Sequence, residues 1–152
     1  MYEFHGWVCI RKSVQEDMGG VTSTIFHDML VGAVRDRLAE QNLDDTGHNP
    51  FFRFTPINGE WFLTFGGNLD HRTTYEPLIH DLLGLIAREG PGSYGLMYWR
   101  DDEYDPPAGA ENFQVLVLAR GVLTTRFDPF LSPVVPLIQD PYVDDEPHGQ
   151  AP

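Results

Sequence analysis

A short polar segment near the middle of the chain carries the residue types that acid-base chemistry uses. Asn68, Asp70, His71 and Arg72 lie within five positions of one another, and an imidazole near a carboxylate can titrate close to neutral pH. One interpretation is a small hydrolase-like enzyme that uses Asp70, His71 and Arg72. The alternative is a loop that hydrogen-bonds its own backbone and caps the helix after it.

A second segment concentrates carboxylates beside aromatic rings. Its candidate binding residues are Trp99, Asp101, Asp102, Glu103, Tyr104, Asp105 and Glu111. Carboxylates steer a basic partner toward a surface, and a tryptophan rimmed by them suits a contact anchor. Pro106, Pro107 and Gly109 predict a surface loop here, so the alternative is a solvated hairpin tip. By strand alternation, Trp99 points to the same side as Met97.

No complete catalytic, metal or cofactor motif accompanies these segments. The sequence has no G-x-S-x-G elbow, and its six histidines show neither H-x-x-x-H nor H-E-x-x-H spacing. Gly90, Gly92 and Gly95 spell G-x-G-x-x-G, but a helix is predicted before them and a strand after them. A phosphate site needs the opposite order. We therefore predict no cofactor, no metal and no catalysis.

The balance of charges limits the kinds of partner. The 152 residues include 23 acidic and 10 basic ones, for a formal charge of -13, with 41% hydrophobic residues. This composition suits one folded domain whose partner is a basic protein, rather than nucleic acid or an anionic membrane. The alternative is that the charge serves solubility alone. Cys9 is the only cysteine, and neither a signal peptide nor a membrane span is recognisable, so we expect a cytoplasmic protein.

Hydrophobic periodicity predicts the elements that must position these residues. Alternation predicts a strand over 2–11, with Tyr2, Phe4, Val8 and Ile10 on one side. Helical spacing predicts a first helix over 23–41 and a second after Tyr75. The first helix has an apolar stripe of Phe26, Met29, Leu30, Ala33, Val34 and Leu38, and the second has one of Tyr75, Leu78, Ile79, Leu82, Leu83 and Ile86.

Turn residues complete the fold prediction. Asn58-Gly59 predicts a type I′ hairpin, and Pro56 predicts that its first strand lies at a sheet edge. Strands are also expected around Leu96–Trp99 and over 113–120. The resulting β-α-β-β-α-β-β order predicts an α+β single domain, with two helices on one face of a largely antiparallel sheet. Residues 1–140 form this domain, with an extended strap after Asp128, and residues 141–152 are expected to be a disordered acidic tail.

Several separated stretches carry a family resemblance. In chain order they are YEFHGWVCIR (2–11), NLDHRT (68–73), PGSYGLMYWRDDE (91–103), NFQVLVLARG (112–121) and DPFLSP (128–133). Together they resemble the immunity protein 7 family of bacterial polymorphic-toxin systems. The resemblance implies an antidote that binds a cognate toxin and blocks its active site or substrate path, with no chemistry of its own.

The net negative charge adds an expectation about the kind of toxin that is bound. A nuclease or deaminase toxin has a cationic groove that an acidic loop would fit. The expected toxin-binding residues are those of the loop together with Asn68, His71 and Arg72. The competing functions are the hydrolase-like enzyme and a structural homodimer joined through a strand edge.

Overall fold

The computed structural model describes residues 1–12, 21–43, 49–72, 75–103 and 113–128, with only the backbone described for residues 21–26. These ranges hold two helices and one six-stranded antiparallel sheet, so the predicted α+β class is confirmed. The elements are β1 Tyr2–Ile10, α1 Val21–Glu40, β2 Phe52–Ile57, β3 Glu60–Leu69, α2 Tyr75–Glu89, β4 Tyr94–Asp101, β5 Gln114–Ala119 and β6 Val122–Phe127. The predicted strap and the tail over 141–152 lie outside the described residues.

The first strand of the chain lies inside the sheet. The spatial order is β2-β3-β1-β4-β5-β6, so β1 pairs with β3 on one side and β4 on the other. Its alternation is as predicted, because Tyr2, Phe4, Val8 and Ile10 are at most 1% exposed. The β2–β3 turn also matches, with positive φ at Asn58 and Gly59, and β2 with its Pro56 is an edge strand.

Both helices cover the same face of this sheet. Their buried side chains belong to one cluster with the inward side chains of β1. In α2 these are Ile79, Leu82, Leu83, Ile86 and Ala87, which include most of the predicted stripe. Pro77 lies in the first turn of α2, where its missing N–H costs no helical hydrogen bond.

Two details differ from the sequence-based prediction. In α1 the buried side turns toward Leu30, Val31, Val34 and Leu38, which leaves Met29 64% exposed. The chain also has a sixth strand, β6, which follows a tight turn at Arg120-Gly121. Both turn residues have positive φ, and the sequence lacks the Asn or Asp that usually marks the first of these positions.

The opposite face of the sheet has no described helix over it. We call it the open face, and on β1 it carries His5, Trp7 and Cys9, which alternate with the core residues. Their partners on β4 are Tyr98, Leu96 and Tyr94, and their partners on β3 are Gly66, Thr64 and Phe62. The open face is therefore rich in aromatic side chains.

Candidate functional site

The two segments singled out in the sequence meet at one corner of the sheet. Because β1 lies between β3 and β4, Tyr2 is paired with Leu69 on one side and with Asp101 on the other. The loop after β3 and the turn after β4 therefore both flank the start of β1. We call Met1, Asn68–Arg72 and Trp99–Glu103 the charged corner.

Arg72 is the hub of the charged corner. Its Nε donates a hydrogen bond to Asp101 Oδ2, and its Nη1 donates one to Glu76 Oε1 at 3.1 Å. Its guanidinium carbon also lies 5.1 Å from the centre of the Trp99 ring, within the range of a cation–π contact. The Asp101 side chain is only 4% exposed, so its carboxylate is shielded from water, whereas the Arg72 side chain is 34% exposed.

The turn after β4 is fixed by further polar contacts. The Glu103 N–H donates to Asp101 Oδ1 at 3.0 Å, and the Asp102 N–H donates to the Met1 carbonyl at 3.1 Å. The Met1 ammonium group donates to Asp102 Oδ1. This bond raises the pKa of the amine and lowers the pKa of the Asp102 carboxyl from their usual values.

The carboxylate beside His71 is Glu103, not its sequence neighbour Asp70. His71 Nδ1 lies 2.6 Å from Glu103 Oε1, and the two side chains are 72% and 54% exposed. Two potential nucleophiles of the described chain are occupied elsewhere. Cys9 is buried, and Ser93 exchanges hydrogen bonds with the backbone of Arg11, accepting at 2.9 Å and donating at 3.1 Å.

Each carboxylate of the acidic turn therefore has a polar partner. Asp101, Asp102 and Glu103 contact Arg72, the amino terminus and His71 respectively. The alternative of a solvated tip does not hold for Asp101, whose side chain is almost fully shielded. Tyr104, Asp105 and Glu111 lie outside the described residues, and so do Thr73 and Thr74.

Trp99 faces the same side of the sheet as Met97, as predicted. It is partly buried against the core cluster, and its ring lies 6.3 Å from that of Tyr2. The Trp99 indole therefore contacts both the core cluster and the Arg72 guanidinium. Asn68, by contrast, is exposed on the opposite face, in register with Glu3.

Sequence reasoning missed one residue of the charged corner and two that contact its Arg72. Met1, Tyr2 and Glu76 reach it only because of the strand order and the position of α2. Tyr2 is fully buried, its hydroxyl has no hydrogen-bond partner within the described structure, and burial raises its pKa well above the usual value. Its alternation had marked it only as a core residue.

Two further features of the described residues bear on the kind of site. Across the described ranges, no three His, Cys, Asp or Glu side chains converge as metal ligands would. Neither described helix has the length and hydrophobicity of a membrane span. The glycine motif over 90–95 begins directly after α2 and ends inside β4, so the helix precedes the strand, as predicted.

The fold and the corner together define a small α+β domain that presents a cluster of polar groups at one exposed sheet corner. The chain belongs to the immunity protein 7 family, whose model matches residues 1–140. It is thus an immunity protein, of a family that acts against a toxin. No curated protein and no solved structure matches the chain.

Proposed function

We propose that this immunity protein binds its cognate toxin through the charged corner and thereby blocks the toxin's active site or substrate path. The observation that carries the proposal is the meeting of two segments, 68–72 and 99–103, each of which was identified separately as a candidate binding segment. Asp102, Glu103 and His71 are 47%, 54% and 72% exposed there. Their polar atoms are therefore accessible to a partner.

The rigidity of the corner favours binding. Main-chain hydrogen bonds and the Arg72 contacts already order the turn after β4. A surface that is ordered before the encounter loses less conformational entropy when it binds. The protein needs no catalytic group for this function.

The partner we propose is a basic toxin domain, such as a nuclease or deaminase. A net charge of -13 favours approach to a cationic groove and disfavours nucleic acid and anionic membranes as partners. We also propose that the protein acts in the cytoplasm. The single free and buried thiol of Cys9 suits a reducing compartment.

The direct test is copurification with the product of the neighbouring gene, followed by surface plasmon resonance at two salt concentrations. The test variant is Asp102→Asn with Glu103→Gln, which removes two exposed carboxylates from the corner. We expect association to slow about threefold or more at low salt, with a smaller change at high salt. The melting temperature should change little, because both side chains are about half exposed.

A matched control removes the same charge from another surface. Asp28 and Glu40 on α1 are 73% and 59% exposed, so Asp28→Asn with Glu40→Gln gives the same net charge. This control should keep near-parental association. Equal slowing by both double variants would show that only total charge matters and that the toxin docks elsewhere.

A further inference from the structure

The open face of the sheet exposes large apolar side chains at one end. Trp7 and Tyr94 are 38% and 43% exposed, and their rings meet edge to face with centres 5.9 Å apart. Val122, in register with Ala119 at the β5–β6 end, is 59% exposed. An apolar patch of this kind commonly marks a surface that another segment or molecule covers.

The other end of the same face is already buried. Phe113 and Val115 are 3% and 6% exposed, yet neither belongs to the core cluster between the helices and the sheet. Val115 is in register with Tyr98 and Arg126, and Phe113 packs its ring 5.9 Å from that of His5. Both described helices lie on the opposite face and do not cover these two side chains.

The segment that follows β6 has the composition and the position to provide it. Residues 129–140 include six large apolar side chains: Phe130, Leu131, Val134, Val135, Leu137 and Ile138. The family model continues through this segment to residue 140. The last described residue, Asp128, donates its N–H to the Phe113 carbonyl at 3.0 Å, so the segment starts beside the buried end of the open face.

Length and backbone chemistry agree with a path across the sheet. Neighbouring strands lie about 4.8 Å apart, so β1 is roughly 14 Å from β6, and twelve extended residues reach up to about 40 Å. Pro129, Pro133 and Pro136 lack the N–H groups that a regular strand at the β6 edge would use. Two other segments follow strands that carry the open face. Segment 13–20 after β1 has Val14 and Met18 as its large apolar side chains, and segment 104–112 after β4 has Tyr104 alone.

We propose that residues 129–140 lie across the open face, from Phe113 and Val115 toward Trp7 and Tyr94. The segment then completes a second, smaller apolar layer on the side of the sheet away from the helices. The inference does not depend on the toxin or on the charged corner.

Site-specific photocrosslinking of the full chain tests this path. Trp7 is replaced by p-benzoyl-phenylalanine, the monomer is irradiated in the absence of toxin, and the crosslinked peptides are identified by mass spectrometry. We expect the main crosslinks to join position 7 to residues 129–140. The matched control places the same group at Met29, an exposed position on α1, where no crosslink to 129–140 is expected.

Three results would overturn the proposal. They are crosslinks from position 7 to a second copy of the chain, crosslinks confined to 13–20 or 104–112, and equal crosslinking of 129–140 from positions 7 and 29. The first would assign the open face to a dimer interface. Because the toxin is absent, none of these results bears on the proposed function.

Discussion

Asp101 shows how a residue selected as a binding candidate can instead be a shielded part of the fold. The residue type and its place in an acidic run were evident from the sequence, and they suggested a solvated carboxylate. Its partner, Arg72, is 29 positions away in the sequence. The two residues meet in space only because β3 and β4 flank the same strand. Pairings that depend on strand order are not encoded in local spacing, so the sequence identified Arg72 and Asp101 as candidates but not the contact between them.

Asp101→Asn should therefore destabilise the protein. The change weakens a charge-assisted hydrogen bond to Arg72 in a shielded position, so we expect the free energy of unfolding to fall by about 1–3 kcal/mol. Urea denaturation would measure it. Asp70→Asn is the matched control, since Asp70 is exposed in the same corner, and its effect should stay within about 0.5 kcal/mol. Equal, small effects would show that the Arg72–Asp101 pair adds nothing to stability.

At the scale of elements, local chemistry predicted most of the fold. The Asn58-Gly59 turn, the apolar stripe of α2 and the alternation of β1 each have a strong physical cause within a few residues. The strand β6 was missed because its turn begins with Arg120 at a φ of 53°, a conformation in which Asn or Asp is more common. The rotation of α1 away from Met29 follows from how the two helices pack, which no single helix pattern records.

Close strand approach on the core side of β4 gives a prediction of its own. A Cβ added at Gly95 would lie 2.8 Å from the Cα of Val8 on β1, closer than real side chains come. Gly95→Ala should separate β1 from β4 locally and reduce the free energy of unfolding by about 1–3 kcal/mol or more.

The control for this change is Gly84→Ala in α2. A Cβ there meets nothing closer than Arg88 Nη1 at 3.8 Å, so the better helix former should stabilise the protein by about 0.5–1 kcal/mol. Thermal and urea melts of both variants would show opposite signs. A neutral Gly95→Ala variant would contradict the register of β1 against β4.

For the molecule as a whole, amino-acid composition limited the possible folds and partners but did not determine a function. Length and charge predicted one acidic domain, and its extent over residues 1–140 stays a prediction. Composition does not say where on the surface the charges lie. Three of the four described carboxylates of the charged corner, those of Asp101, Asp102 and Glu103, contact Arg72, the amino terminus and His71.

Removal of residues 141–152 tests the proposed domain boundary. Since the family model ends at residue 140, we expect the shortened chain to unfold at the same urea concentration as the parent, within about 0.5 kcal/mol. Affinity for the toxin should also be unchanged if the charged corner carries binding. A clear loss of stability would extend the domain into the tail.

The position of β1 also has a consequence during synthesis on the ribosome. The strand emerges before both of its neighbours, and the second of them, β4, ends at Asp101, about 90 residues later. At a translation rate of roughly 5–20 residues per second, the nascent β1 waits about 5–20 s with at least one unpaired edge. The high contact order of this sheet should make folding slow for the chain's size, and partly made chains should be prone to edge-to-edge aggregation.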